Sequence, residues 1–207
     1  MRKVMVCLFL FISLGSVYSV DEYRIGETIK VYDSILEELP SKITYYPAPL
    51  SFLDTNNAIF LYFHEFITYV LIFAKGDKYD YRKRFIEVLD KCIEWTDVAK
   101  KNNVHKLSRL VMEDVSIPYI ILGESSSFPE AFIADFIFSI QEFKGKEETL
   151  LIINYKSIDQ YNNGERGRHI VFKQNDFKHL RDIFSDNYLT QFDKKAEEQA
   201  KVEELFK

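Results

Sequence analysis

The feature that most constrains the fold is a regular alternation of apolar and polar residues over 132–140. A period of two places every second side chain on the same face of a β-strand, so this segment predicts a strand with one buried face. Lys144, Gly145 and Lys146 then predict a turn, and the apolar run 149–155 predicts the returning strand of a hairpin. The buried set is Phe132, Ala134, Phe136, Phe138 and Ile140, and Asp135, Ser139 and Gln141 lie in the opposite set.

A second pair of strands is predicted from the most apolar internal stretch, 58–73, in which only His64, Glu65 and Thr68 are polar. Its aromatic and β-branched content favours two buried strands, 59–63 and 68–74, that bend at His64 and Glu65. A membrane-spanning helix is disfavoured, because the stretch is short for a bilayer and Glu65 would lie near its middle. Shorter apolar runs predict strands at 107–112, 118–122 and 169–173.

Helices are predicted wherever apolar residues recur at a spacing of three to four. The clearest is 81–101, with Asp80 as its N-cap, followed by a helix that starts after Asn175 or Asp176. The same spacing predicts a helix over 27–39, which ends before Pro40, and a charged helical tail over 190–207.

This order of elements predicts an α+β fold in which antiparallel β-hairpins pack with helices. A hairpin followed by a helix occurs twice, near 58–101 and near 131–187, so two hairpin-helix units are one interpretation of the fold. No segment rich in Pro, Gly or Ser divides the chain. We therefore expect a single domain over 20–189, with 190–207 as its tail.

The first twenty residues have the anatomy of a secretory signal peptide. Arg2 and Lys3 precede an apolar run of about 11 residues, and Ser19 supplies a small residue for cleavage. The run is too short for a bilayer span, which needs about 20 residues. We therefore expect residues 1–19 to be removed, the protein to be exported to the periplasm or the extracellular space, and no stable membrane span to remain.

Charge and cysteine content limit the classes of partner and cofactor. Without its leader the chain keeps 25 of its 27 Lys and Arg residues against 32 Asp and Glu, so the net charge falls from −5 to −7. An acidic surface repels nucleic acid and favours a basic partner. Cys92 would be the one cysteine left, on the apolar stripe of its helix, so we expect a buried thiol and no disulfide. The four histidines show no metal-binding spacing, which predicts neither a metal site nor a cofactor.

One catalytic pattern was considered, at Gly123-Glu124-Ser125-Ser126-Ser127. A nucleophile elbow places a serine between two glycines on a sharp turn from strand to helix, and Ser125 would be that serine. Here Ser127 replaces the second glycine, and the residues that follow read as a strand. A polar loop is the favoured interpretation, and a hydrolase that uses Ser125 is kept as the alternative.

The most distinctive polar segment is 162–169, which contains Gly164, Arg166, Arg168 and His169. Glycine allows close approach of the backbone, and the arginines and the histidine concentrate positive charge in an acidic protein. These four residues are the predicted binding site for an anion or for a partner protein, although a solvated hairpin loop explains the same composition.

The sequence thus favours a small exported protein without enzymatic activity that binds another protein. An inhibitor or an immunity-type protein that neutralises a basic enzyme is one concrete form of this hypothesis. The alternatives are a hydrolase of the cell envelope or exterior and a structural envelope protein that docks through its charged C-terminal helix.

Overall fold

A computed structural model of the chain describes residues 22–26, 29–50, 55–64, 67–76, 80–122, 130–156 and 167–205. These residues form ten strands and three helices. The strands are β1 (Tyr23–Ile25), β2 (Val31–Tyr32), β3 (Glu38–Leu39), β4 (Ser41–Tyr46), β5 (Asn57–His64), β6 (Thr68–Lys75), β7 (Leu107–Leu122), β8 (Glu130–Phe143), β9 (Lys146–Lys156) and β10 (Gly167–Lys173). The helices are α1 (Tyr81–Lys101), α2 (Gln174–Ile183) and α3 (Asp186–Glu204).

The strands join into one antiparallel sheet in the order β1-β4-β5-β6-β7-β8-β9-β10-β2-β3. Although β3 and β4 lie near opposite ends of this order, only Pro40 separates them along the chain. Because one residue spans at most about 3.5 Å, the two ends of the sheet have to approach each other. The sheet therefore curls, and the predicted antiparallel α+β class is confirmed.

The main core lies between the helices and one face of this sheet, which we call the inner face. Phe85 of α1 is at its centre. The centroid of its ring lies 4.8 Å from those of Phe73 and Phe184, which are 5.2 Å from each other. Phe136 of β8 and Phe172 of β10 lie 6.0 and 6.1 Å from the same ring. Contacts of this kind add to the free energy gained by burying the rings, so aromatic packing joins α1 to both halves of the sheet.

Strands β5 and β6 are apolar on both faces because both faces are buried. Ile59, Leu61 and Phe63 belong to the inner core, whereas Phe60 and Ile72 lie in a second cluster on the opposite, outer face. A strand buried on both faces has a continuous apolar run rather than an alternating one. The two strands predicted from this run are confirmed.

The hairpin of β8 and β9 follows the predicted alternation. Ala134, Phe136, Phe138 and Ile140 are all buried on the inner face. Lys144 and Gly145 form the turn and have φ angles of 50° and 76°, a region that glycine adopts without strain. The predicted hairpin is therefore confirmed, with pairing from Ala134 to Phe143. The side chain of Phe132 lies outside what the structure describes, and Ser139, predicted in the polar set, is buried.

Helix α1 has the predicted bounds. The Asp80 carboxylate accepts a hydrogen bond from the Lys83 amide at 2.8 Å, which caps the first turn. Cys92 on its inner face is fully buried, and burial raises the pKa of the thiol to about 12. The expectation of a buried Cys92 is confirmed. No helix in the described part of the chain is long and apolar enough to cross a membrane.

The predicted helix over 27–39 is wrong, since the described residues of this segment form the hairpin of β2 and β3. One carboxylate oxygen of Asp33 accepts hydrogen bonds from the amides of Ile35 and Glu37, at 3.0 and 2.8 Å. Leu36 has a φ of 56°, which a helix does not tolerate. Asparagine and aspartate side chains stabilise turns in this way, and pairing of β2 with β10 overrides the helical spacing.

Three other boundaries differ from the prediction. Helix α2 begins at Gln174, with Lys173 rather than Asn175 or Asp176 in the N-cap position. The runs at 107–112 and 118–122 belong to one strand, β7, which stays paired with β8 across irregularities between Leu110 and Val115. Helix α3 begins at Asp186 rather than at residue 190, and Leu189 and Phe192 are buried against the core. Beyond Phe192 the helix is mostly exposed, as the thin apolar content of this segment predicts.

Candidate functional site

The predicted site residues lie either outside the residues that the structure describes or next to a segment that it leaves out. Ser125, Gly164 and Arg166 lie outside the described residues. Arg168 and His169 are consecutive residues of β10, paired with Tyr155 and Asn154 of β9. Because successive strand positions belong to opposite faces, positions 168 and 169 do not share one surface of the sheet. Of the predicted binding residues, His169 is the one whose side-chain environment the structure defines.

His169 belongs to a polar row that crosses three strands of the outer face. It pairs with Asn154, and Asn154 pairs with Asp135 of β8. His169 is partly buried, which lowers the pKa of its imidazole, and its Nδ1 has no hydrogen-bond partner among the described residues. The imidazole is therefore neutral at pH 7, and it contributes no positive charge to this face.

Asp135 has a structural role at the irregular part of β7. Its Oδ1 accepts a hydrogen bond from the Asp114 amide at 3.1 Å, where Asp114 has a φ of 51°. A bulge leaves backbone groups without partners in the adjacent strand, so a side-chain acceptor stabilises it. The Asp135 carboxylate is thereby held against the backbone of Asp114.

An apolar row lies beside the polar row. Leu110 pairs with Ile137, Ile137 with Ile152, and Ile152 with Val171, so this row crosses β7, β8, β9 and β10. Leu110 is 46% exposed, and Ile133, on the other side of the polar row, is 50% exposed. We call the surface formed by Leu110, Ile133, Ile137 and Ile152, together with Asp135, Asn154 and His169, the outer patch.

The outer patch differs from an ordinary solvent-facing sheet. A sheet with one wet face usually has polar residues there, and large contiguous apolar patches on a protein surface mark binding sites. Sequence reasoning identified the polar members of the outward set of β8 but not its apolar members. Ile133 and Ile137, which alternate with Asp135, were the available signal.

His64 and Cys92 show no arrangement for catalysis. The Nδ1 atom of His64 lies 3.0 Å from the Thr68 hydroxyl oxygen across the end of the β5–β6 hairpin, and the side chain is exposed. Glu65, its neighbour in sequence, lies outside the described residues. The thiol of Cys92 is buried and protonated. Within the described ranges no three His, Cys, Asp or Glu residues are grouped so that they could hold a metal ion.

A separate cavity of about 420 Å³ lies where the end of α1 meets the β8–β9 hairpin and the start of α2. At its edge, the Nδ1 atom of His105 lies 2.7 Å from a carboxylate oxygen of Glu147. Lys173 is also part of the lining and is 3.3 Å from Glu148. The cavity therefore combines acidic and basic side chains in one concave surface.

Comparisons with known proteins give no relative for this arrangement. No protein family, no curated protein and no solved structure matches the chain at a significant level.

Proposed function

We propose that this is an exported, non-enzymatic interaction protein whose outer patch binds a basic partner protein, as an inhibitor or an immunity-type protein does. The observation that supports the proposal is the exposure of Leu110 and Ile133 on the outer face, at 46% and 50%. Burial of an apolar side chain at an interface contributes about 25 cal/mol per Å² of area removed from water. The outer patch thus offers binding energy that an entirely polar face lacks.

Charge favours a basic partner over an acidic one. Asp135 lies between Ile133 and Ile137 in the outward set of β8, and the whole chain has a net charge of −5. Complementary charge at the rim of an interface accelerates association and rejects partners of like charge. A partner that presents apolar residues with Lys or Arg around them would match both features.

Export is the second part of the proposal, and it is supported by the leader-like residues 1–19. Expression of the whole chain in its native cell, followed by fractionation, would test it. We expect the protein outside the cytoplasm with Val20 at its N-terminus. Cytoplasmic protein that keeps Met1 would contradict export.

The outer patch is tested by matched substitutions of exposed apolar residues. Ile133→Lys places a cation in the outer patch, and Val98→Lys places one on α1, where Val98 is 51% exposed. A partner recovered from the protein's own compartment should be basic, and its affinity should fall as the salt concentration rises. Ile133→Lys should weaken its binding about tenfold or more, and Val98→Lys should leave the binding unchanged.

Two results would contradict this assignment. One is a partner whose affinity is unaffected by Ile133→Lys, which would place the interface elsewhere. The other is the absence of any partner that depends on Ile133, together with labelling of the protein by a fluorophosphonate probe that Ser125→Ala abolishes. That second result would favour the hydrolase alternative.

A further inference from the structure

We propose that the cavity between α1, the β8–β9 hairpin and α2 binds a small zwitterion, namely a free α-amino acid or a dipeptide. This site is independent of the outer patch. Its volume of about 420 Å³ is in the range of pockets that enclose small ligands. Its lining is polar at several points, through hydroxyl, amide and charged groups such as Thr96, Asn103, Glu147, Thr149 and Asn175.

The charges of the lining are balanced. Lys100 carries a positive charge and Glu147 a negative one. Glu148 follows Glu147 on β9 and so belongs to the opposite face of the strand, where it pairs with Lys173 at 3.3 Å. A ligand with one net charge would be attracted by one side chain and repelled by another. A zwitterion has both signs and can satisfy both sides of the cavity.

Glu147 is the group that would hold the ammonium end. One of its oxygens is 2.7 Å from Nδ1 of His105, which fixes the carboxylate at the edge of the cavity. A carboxylate has two oxygens with about four lone-pair sites, so the contact with His105 leaves acceptors for an ammonium group. Charge-assisted hydrogen bonds of this kind are about twice as strong as neutral ones.

The carboxylate end would lie at the start of α2 and near Lys100. Lys173, in the N-cap position, is extended and makes no side-chain hydrogen bond to the first turn. The amides of Gln174 and Asn175, both lining residues, therefore have no side-chain cap from this position. Lys100 is part of the same lining and has no ion-pair partner among the described residues. First-turn amides of a helix and an ammonium group together suit a carboxylate.

The test is an NMR titration of the purified protein with alanine and with dialanine, which distinguishes the free amino acid from the peptide. Acetate and methylammonium are the single-charge controls. We expect the amide signals of Gln174 and Asn175 to shift with saturation for at least one zwitterion. Neither control should bind within about tenfold of that affinity, because each satisfies one end alone.

Variants separate the two ends without disturbing the core. Glu147→Gln removes the charge that holds the ammonium and should weaken binding about tenfold. Lys173→Ser introduces a helix cap that occupies a first-turn amide, and Lys173→Ala removes the same side chain without adding a cap. Binding should be weaker in Lys173→Ser than in Lys173→Ala, while thermal unfolding confirms that both variants are folded.

Three results would overturn the proposal. Acetate that binds as tightly as alanine would indicate a simple anion site. Unchanged affinity in Glu147→Gln would exclude the proposed ammonium contact. The absence of saturable shifts up to roughly 10 mM of either zwitterion would exclude a useful binding site, since even a millimolar Kd corresponds to only about −4 kcal/mol.

Discussion

The attachment of α3 depends on a buried cation, and this gives the sharpest prediction for stability. Arg82 of α1 is 3% exposed, and its guanidinium donates to Asp186, the first residue of α3. The same carboxylate accepts a hydrogen bond from Lys75 at 2.8 Å, and Asn57 accepts a second one from Arg82 at 3.3 Å. Among these contacts, Asp186 supplies the one carboxylate that pairs with the buried guanidinium. The substitution Asp186→Asn removes its charge.

The destabilisation caused by Asp186→Asn follows from the burial of Arg82 rather than from that of Asp186. A buried charge that loses its partner costs about 1–3 kcal/mol or more, whereas an exposed ion pair is worth at most about 1 kcal/mol. Asp186 is itself 66% exposed, and the oxygens of Asn57 and of the new amide remain as acceptors. We therefore expect Asp186→Asn to lower the free energy of unfolding by about 2 kcal/mol. For a chain of this length that corresponds to a fall in Tm of roughly 4–8 °C.

The measurement is chemical unfolding followed by circular dichroism, with Asp182→Asn as the matched control. Asp182 is 67% exposed and lies 3.8 Å from Arg181, which is itself 43% exposed. This control should change the free energy of unfolding by less than about 0.5 kcal/mol. In an Arg82→Met background, Asp186→Asn should hardly change the free energy of unfolding, because no buried charge is left without a partner.

An effect of Asp186→Asn no larger than that of Asp182→Asn would refute the dependence of Arg82 on Asp186. Simple addition of the effects of Arg82→Met and Asp186→Asn would refute it too, since residues that interact directly should show a coupling energy. Either result would mean that Arg82 is satisfied without Asp186, and that α3 is held by its other contacts, namely the packing of Leu189 and Phe192 and the hydrogen bond from Tyr45 to Asp193.

Three further outcomes are expected. Cys92, with a pKa of about 12 and no exposed surface, should resist thiol reagents at pH 8 until the protein unfolds; fast labelling of the native protein would contradict this. Burial lowers the pKa of His169 below 6.5, so the unfolded state binds more protons and stability should fall as the pH drops from 6.5 through the folded-state pKa. His169→Gln should show a smaller fall in urea midpoint between pH 8 and 5.5, and an equal fall would exclude His169. The hydrogen bond from Lys75 lowers the pKa of Asp186, so the stabilising contribution of this carboxylate is present above pH 3.8 and is lost below it as the carboxylate becomes protonated in the folded state. The stability of Asp186→Asn should therefore fall less between pH 4 and lower pH than that of the unsubstituted protein.

The candidate surfaces were only partly predictable from the sequence. The sequence predicts positive charge at His169 beside Arg168, but in the structure His169 belongs to a half-buried polar row with Asn154 and Asp135. The pairing partners of a strand lie far away in sequence, so the composition of a loop did not reveal them. The cavity was not predicted, since its lining comes from α1, β8, β9 and α2, and only tertiary contacts bring these elements together.

The sequence by itself determined the elements whose pattern is local. The alternation over 132–140 defined β8, and the spacing of apolar residues with Asp80 as a cap defined α1, because strand faces, helix faces and caps depend on near neighbours. Only the tertiary structure decided the hairpin of β2 and β3, where pairing with β10 prevails over helical spacing. It also decided the continuity of β7 and the burial of Leu189 and Phe192, since hydrogen bonds and apolar contacts with distant segments outweigh weak local preferences.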